Sequence, residues 1–200
     1  MGKTREREFS LGLKLSDILV TVVVAIVFGA VYKLWSPMYD LVKPLGLHAE
    51  ETVYGMWFMA ATFAFLLIRK PGVAVVAELA AASAETFFGS EWGVATLIYG
   101  LLQGLGAEIF FAAFRYRKPN LGVTVLAAIG AGVASLILDW FYGYIGYLSL
   151  WNFTVLVALR LLGCALIAGL FAYYLAKAVE ATGVTSLLRP SSPQDYEALE

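Results

Sequence analysis

The chain has 200 residues, of which 60% are hydrophobic and 14% charged, against about 25% charged in ordinary globular domains. Its mean hydropathy of +0.78 marks an integral membrane protein. A net charge of −1 says nothing about nucleic acid, but no basic stripe with interleaved aromatics occurs, so no nucleic-acid partner is expected; the one cysteine, Cys164, excludes an internal disulfide framework.

Six apolar segments follow one another. The first, residues 17–34, comes after a polar start, with Ser16 or Asp17 placed to cap its helix. Its length and the lack of a small-residue cleavage site argue against a removed signal peptide. The second, 53–68, stops at Arg69-Lys70-Pro71, and Pro71 suits the first turn of the third, 73–88. The fourth spans 94–114 and stops at "RYRKPN"; the fifth covers 121–140 and the sixth 153–176. Several are near the short end of the spanning range of about 17–25 residues, which tilt or local thinning accommodates. The expected architecture is an all-α membrane protein with six transmembrane helices in residues 16–180. Segments 1–15 and 181–200 are expected to be cytoplasmic.

Orientation follows from Lys and Arg. With the amino terminus inside, the cytoplasmic side holds Lys3, Arg5, Arg7, Lys14, Arg69, Lys70, Arg115, Arg117, Lys118, Lys177 and Arg189. The outer connections hold Lys33 and Lys43 alone, an asymmetry that puts both termini in the cytoplasm. Those outer connections are aromatic instead: "YKLWSPMYD", "FFGSEW" and "DWFYGYIGYLSLW", which include Trp35, Trp92, Trp140 and Trp151. An interfacial aromatic belt and a ligand site both fit that composition, although a belt alone is not expected on one side only.

Ionisable residues inside the spans are Glu78, Glu85, Glu108, Asp139 and Arg160, with Gln103 as a neutral companion. Each is unfavourable in hydrocarbon unless paired or facing water, so each is a functional candidate. Arg160 and Asp139 suit an ordinary buried ion pair as well as a ligand contact. Glu108 and Gln103 suit bonds between helices. Glu78 and Glu85 are two helical turns apart, hence on one face and roughly 10 Å apart along the axis. Between them lie Ala80, Ala81, Ala82, Ser83 and Ala84, which leave room either for neighbouring helices or for a ligand.

The acids outnumber Arg160, which favours a cationic ligand or protonated carboxyls. Trp35, Tyr39, Trp57, Trp140, Tyr144, Tyr147 and Trp151 fall in the outer half or outer loops. Aromatic faces beside carboxylates suit a flat, positively charged heterocycle. Asn152 supplies a donor and an acceptor, or a helix cap.

No P-loop, nucleophile elbow, HExxH or CxxC occurs, so neither ATP binding through a P-loop nor catalysis is expected. His48 has no cysteine beside it, so neither a metal site nor a cofactor is expected.

Six short spans, an aromatic first outer connection and the small-residue stripe Ala25-Ile26-Val27-Phe28-Gly29 resemble the S components of energy-coupling factor (ECF) transporters. In that family such a stripe in helix 1 meets the partner transmembrane subunit, which implies that role for Ala25 and Gly29. Packing within the chain is the generic alternative. The stretches "KLWSPMYD", "PGVAVVAELAAASAE" and "YGLLQGLGAE" look like the S components linked to thiamin or its hydroxymethylpyrimidine moiety.

The resemblance implies Glu78 and Glu85 as polar anchors, Trp35 and Trp57 as stacking partners, and Tyr147 and Asn152 as further polar contacts. It implies a lid at residues 35–39, and a scaffold subunit with two ATPases as partners. The better-known thiamin S component also uses a histidine; His48 here lies in a loop, which leaves that contact absent or replaced. A proton-coupled carrier using Glu78, Glu85 and Asp139, and a purely structural membrane protein, are the rival readings.

Overall fold

The computed structural model describes residues 13–117 and 119–187. Most of segment 1–15, all of the tail beyond residue 187, and Lys118 therefore lie outside the described residues. Within them there is no strand.

The helices are α1 (Leu15–Val42), α2 (Met59–Ile68), α3 (Val73–Phe87), α4 (Ala95–Ala113), α5 (Leu121–Phe141), α6 (Leu150–Cys164) and α7 (Ala172–Ala181). Two spans change winding part-way. Ala49–Phe58 is a 3₁₀ helix that runs into α2, and α6 continues through a π-helical stretch, Ala165–Phe171, into α7. Thr62 Oγ1 of α2 donates to the Ala168 carbonyl of that π stretch at 2.7 Å.

Five runs are long and apolar enough to cross a membrane: Leu15–Leu45, Ala49–Ile68, Ala95–Ala113, Leu121–Phe141 and Leu150–Ala181. The third expected span, observed as α3, has only 15 residues, a length of roughly 22 Å against a hydrocarbon core of about 30 Å. It packs on α1, α2 and α4. Every residue of α2 is buried, which makes it the central post of the bundle.

Residues 35–39, expected as a lid loop, are helical and belong to α1, with Pro37 inside the helix. Proline removes one backbone donor without ending a helix whose neighbours hold it. Here Trp35 Nε1 donates to the Val53 carbonyl at 3.0 Å, and the Tyr39 ring packs on Tyr54 and Trp57.

Small residues set how closely the helices approach. A Cβ on Gly29 would stand 2.4 Å from Ala84 Cβ and 2.9 Å from the Ala81 carbonyl. Ala25 is buried as well. Of the stripe expected to meet a partner subunit, Ala25 and Gly29 thus turn into the chain's own interior, where Gly29 meets α3, while Ile26 and Val27 are exposed. The same contacts correct the reading of the α3 alanines, since Ala81 and Ala84 provide clearance for α1 and only Ala82 borders the ligand-sized cavity described below.

Opposite the aromatic end, ion pairs tie the bundle. Lys70 Nζ meets Asp17 Oδ2 at 2.6 Å, and Arg69 Nη2 meets Glu180 Oε1 at 2.7 Å. Asp17 also accepts from the Lys14 backbone N–H at 2.7 Å, closing the first turn of α1.

Gly106 and Gly130 bring α4 and α5 together, a Cβ on either standing 2.4 Å from the other's carbonyl oxygen. Gly106→Leu is expected to force the helices apart and destabilise the chain by about 1–3 kcal/mol. A lowered thermal midpoint of the purified protein in detergent checks this.

Candidate functional site

At one end of the bundle, α1 turns into the 3₁₀ helix, α3 turns into α4, and α5 turns into α6. These connections surround a cavity of about 460 Å³, within the range of small-molecule sites. Six carboxylates line it, those of Asp40, Glu50, Glu51, Glu85, Glu91 and Asp139, against the cationic Lys43 and Arg160.

The fixed part of the wall is an ion cluster. Arg160 of α6 donates from Nε to Glu51 Oε2 and from Nη1 to Asp139 Oδ2 and Ser135 Oγ. Its guanidinium carbon lies 4.0 Å from the centre of the Tyr54 ring, and Tyr99 donates to Asp139 Oδ1 at 2.5 Å. All three charged residues of this cluster are at most 5% exposed. Two carboxylates share one guanidinium, so the cluster keeps a negative excess.

Glu85 lies near the end of α3 and is 3% exposed. Trp57 Nε1 donates to it at 3.3 Å, and among the described residues no Lys or Arg reaches ion-pair distance. Glu50 is 9% exposed, and its Oε2 has no hydrogen-bond partner among the described residues. The rings of Tyr39, Tyr54 and Trp57 pack edge-on or tilted at centroid separations of 5.4–6.0 Å, forming one aromatic wall. A flat cation finds both π faces and unneutralised carboxylates here.

Of the expected site residues, Tyr39, Trp57, Glu85, Gln103, Asp139, Tyr144 and Tyr147 border the cavity. Four do not. Glu78 is 1% exposed and is held by Tyr32 and by the Ala61 N–H. Its position two turns from Glu85 puts it on the same helix face but below the cavity. The Trp35 indole is engaged with Val53.

Trp151 and Trp140 are mostly exposed on the outside of the bundle and fit the interfacial belt. Asn152 is exposed on the first turn of α6, where Ser149 is the cap and accepts the Asn152 N–H at 3.4 Å. Glu108 is also structural, accepting from the Gly72 and Ala74 N–H groups at 2.6 and 3.0 Å and so capping α3 from α4.

The sequence reading missed Glu50 and Glu51, because the second span was started at residue 53, and it passed over Tyr54 inside that span. The consecutive acids of "EETVYGMW" beside an apolar run were the available signal. His48, placed in a loop, borders the cavity as well, with Nδ1 3.9 Å from Glu50 Oε1.

Residues 16–134 match the family described as the ABC-type cobalt transport system, permease component. A relative from Bacillus subtilis (strain 168), named putative HMP/thiamine permease protein YkoE, is 38% identical over 173 residues, 86% of each chain. A solved structure described as an S-component of an ECF transporter superposes with a TM-score of 0.84 at 35% identity, covering 88% of this chain and 89% of that one. Both relatives are transport proteins, not enzymes.

Arg160→Met is expected to destabilise the chain by about 3–5 kcal/mol, because Glu51 and Asp139 are then buried without their cation. Adding Glu51→Gln to that variant is expected to recover part of the loss. Thermal midpoints of the two variants against the parent protein check both.

Proposed function

The chain belongs to the S components of ECF transporters, multi-pass membrane proteins that supply the substrate-binding subunit. From that premise we propose that it captures thiamin, or the hydroxymethylpyrimidine part of it. The acid-rich aromatic cavity carries this reading. Thiamin joins a flat aminopyrimidine to a permanently cationic thiazolium, so it offers ring faces, donor groups and a positive charge together. A cavity with six carboxylates and two cationic side chains favours such a ligand over an anionic one. The permease name of the Bacillus subtilis relative supports the same substrate.

In this reading Glu85 supplies the carboxylate that faces the ligand without a competing base. Tyr39, Tyr54 and Trp57 form the stacking wall, while Tyr144 and Tyr147 border the rim. Gln103 and Asp139 add polar contacts. Trp35, Glu78, Trp151 and Asn152 have no direct part.

The cavity end faces outward and both termini lie in the cytoplasm. Lys14, Arg69, Lys70, Arg115, Arg117 and Lys177 gather at the opposite end, as expected of a cytoplasmic face. With residues 35–39 helical, access is governed by the rims at 43–48 and 142–149 rather than by a lid at 35–39. The loaded subunit then joins a transmembrane scaffold and two ATPases, whose hydrolysis drives inward release. Among the described residues no direct hydrogen bond links Glu78, Glu85 and Asp139 to one another.

Calorimetry of the purified chain is expected to show saturable, ATP-independent binding of thiamin. Absence of binding by both thiamin and hydroxymethylpyrimidine contradicts the reading. Glu85→Gln keeps the shape and removes the charge, so it is expected to weaken binding by about ten- to a hundredfold. An unchanged affinity would remove Glu85 from the site.

A further inference from the structure

The 3₁₀ helix Ala49–Phe58 supplies Glu50, Glu51, Tyr54 and Trp57 to the cavity wall, and its winding sets how the last three are aligned. At 3.0 residues per turn, positions three apart eclipse one another. Glu51, Tyr54 and Trp57 are therefore in one row, and all three border the cavity. With α-helical winding each step of three falls short of a full turn by roughly 60°, which rotates Trp57 about 120° away from Glu51. Runs of 3₁₀ longer than about 3–4 residues are uncommon, because their hydrogen bonds are poorer. Ten residues in this form need an outside hold.

That hold is found where the winding changes. Phe58, at φ −120° and ψ 0°, leaves helical geometry, and α2 begins anew at Met59. The first N–H groups of a new helix have no partner within it. Tyr32 Oη accepts from the Ala60 N–H at 2.9 Å, and Glu78 Oε2 accepts from the Ala61 N–H at 2.8 Å. The Tyr32 hydroxyl in turn donates toward both Glu78 oxygens, at 3.0 and 3.2 Å. Both residues are 1% exposed, and Tyr32 lies between Glu78 and the cavity that it borders.

We propose that Glu78 and Tyr32 are positioning residues for the ligand site. Together they form a cap supplied by α3 and α1 to the start of α2, fixing the switch of winding at Phe58. The switch keeps Glu51, Tyr54 and Trp57 in register against the cavity. Glu78 thus acts on the ligand through the wall and not by touching it. This rests on the cavity being the ligand site, whereas the geometric claim about the wall stands apart from the identity of the ligand.

The test uses the full chain labelled with 5-fluorotryptophan, with the Trp57 fluorine resonance assigned by its loss in Trp57→Phe. Glu78→Gln and Tyr32→Phe are expected to shift the Trp57 resonance of the unliganded protein and to weaken thiamin binding about tenfold or more. Ser83→Ala, exposed on the same helix α3, is expected to change neither. Tyr32→Phe carries the test if Glu78→Gln fails to fold. An unmoved Trp57 resonance in the variants overturns the proposal, and weakened binding with that resonance unmoved makes Glu78 a direct contact instead. A moved resonance with unchanged affinity also overturns it. If the parent chain binds no thiamin, the substrate reading fails, and the resonance alone decides the positioning claim.

Discussion

Arg160 is buried between Glu51 of the 3₁₀ helix and Asp139 of α5, with the Tyr54 ring against its guanidinium and Tyr99 of α4 bonded to Asp139. A charge inside a membrane-embedded bundle is strongly unfavourable unless its partners are already in place. This one guanidinium therefore fixes the relation of the 3₁₀ helix, α5 and α6, and through Tyr99 that of α4. Glycine contacts allow the approach it needs. A Cβ on Gly55 would stand 2.4 Å from the Gly163 carbonyl, so the 3₁₀ helix and α6 meet backbone to backbone beside the cluster. The cavity wall is held by electrostatics and close packing together, with more carboxylate than cation left over to receive a ligand.

The acids of the interior divide their work by position. Glu108 binds free N–H groups at the start of α3, Glu78 binds the Ala61 N–H at the start of α2, and Glu85 faces the cavity. Two of these carboxylates serve as helix caps delivered from another segment, which satisfies backbone donors where water is scarce. The consequence is that α2 and α3 have fixed starting points beside a tightly wound 3₁₀ wall, so the proposed binding surface is shaped before any ligand arrives. Such preorganisation lowers the ordering cost of binding.

Much of the fold was legible because hydropathy reports burial in lipid directly. The fifth span was expected at 121–140 and observed as Leu121–Phe141, and the fourth was equally close. Helix α1 proved longer than its apolar run because Pro37 and the aromatics around it read as a loop, whereas long-range contacts at Trp35 and Tyr39 keep it helical. The site was half legible. The seven-residue spacing put Glu78 and Glu85 on one face, but periodicity carries no information about where along that face a cavity begins. Glu51 and Tyr54 were hidden because a 3₁₀ helix has a period that a search for α-helical stripes does not reveal. The one-sided aromatics were two populations: Trp57 and Trp92 border the cavity, and Trp140 and Trp151 face outward.

Whether the carboxylate excess selects a cation is decided by calorimetry comparing thiamin with its thiophene analogue, in which carbon replaces the charged ring nitrogen and shape is preserved. The neutral analogue is expected to bind the purified chain at least about tenfold more weakly, since charge-assisted contacts are roughly twice as strong as neutral ones. Equal affinities for the two compounds would mean that the carboxylates do not select for charge.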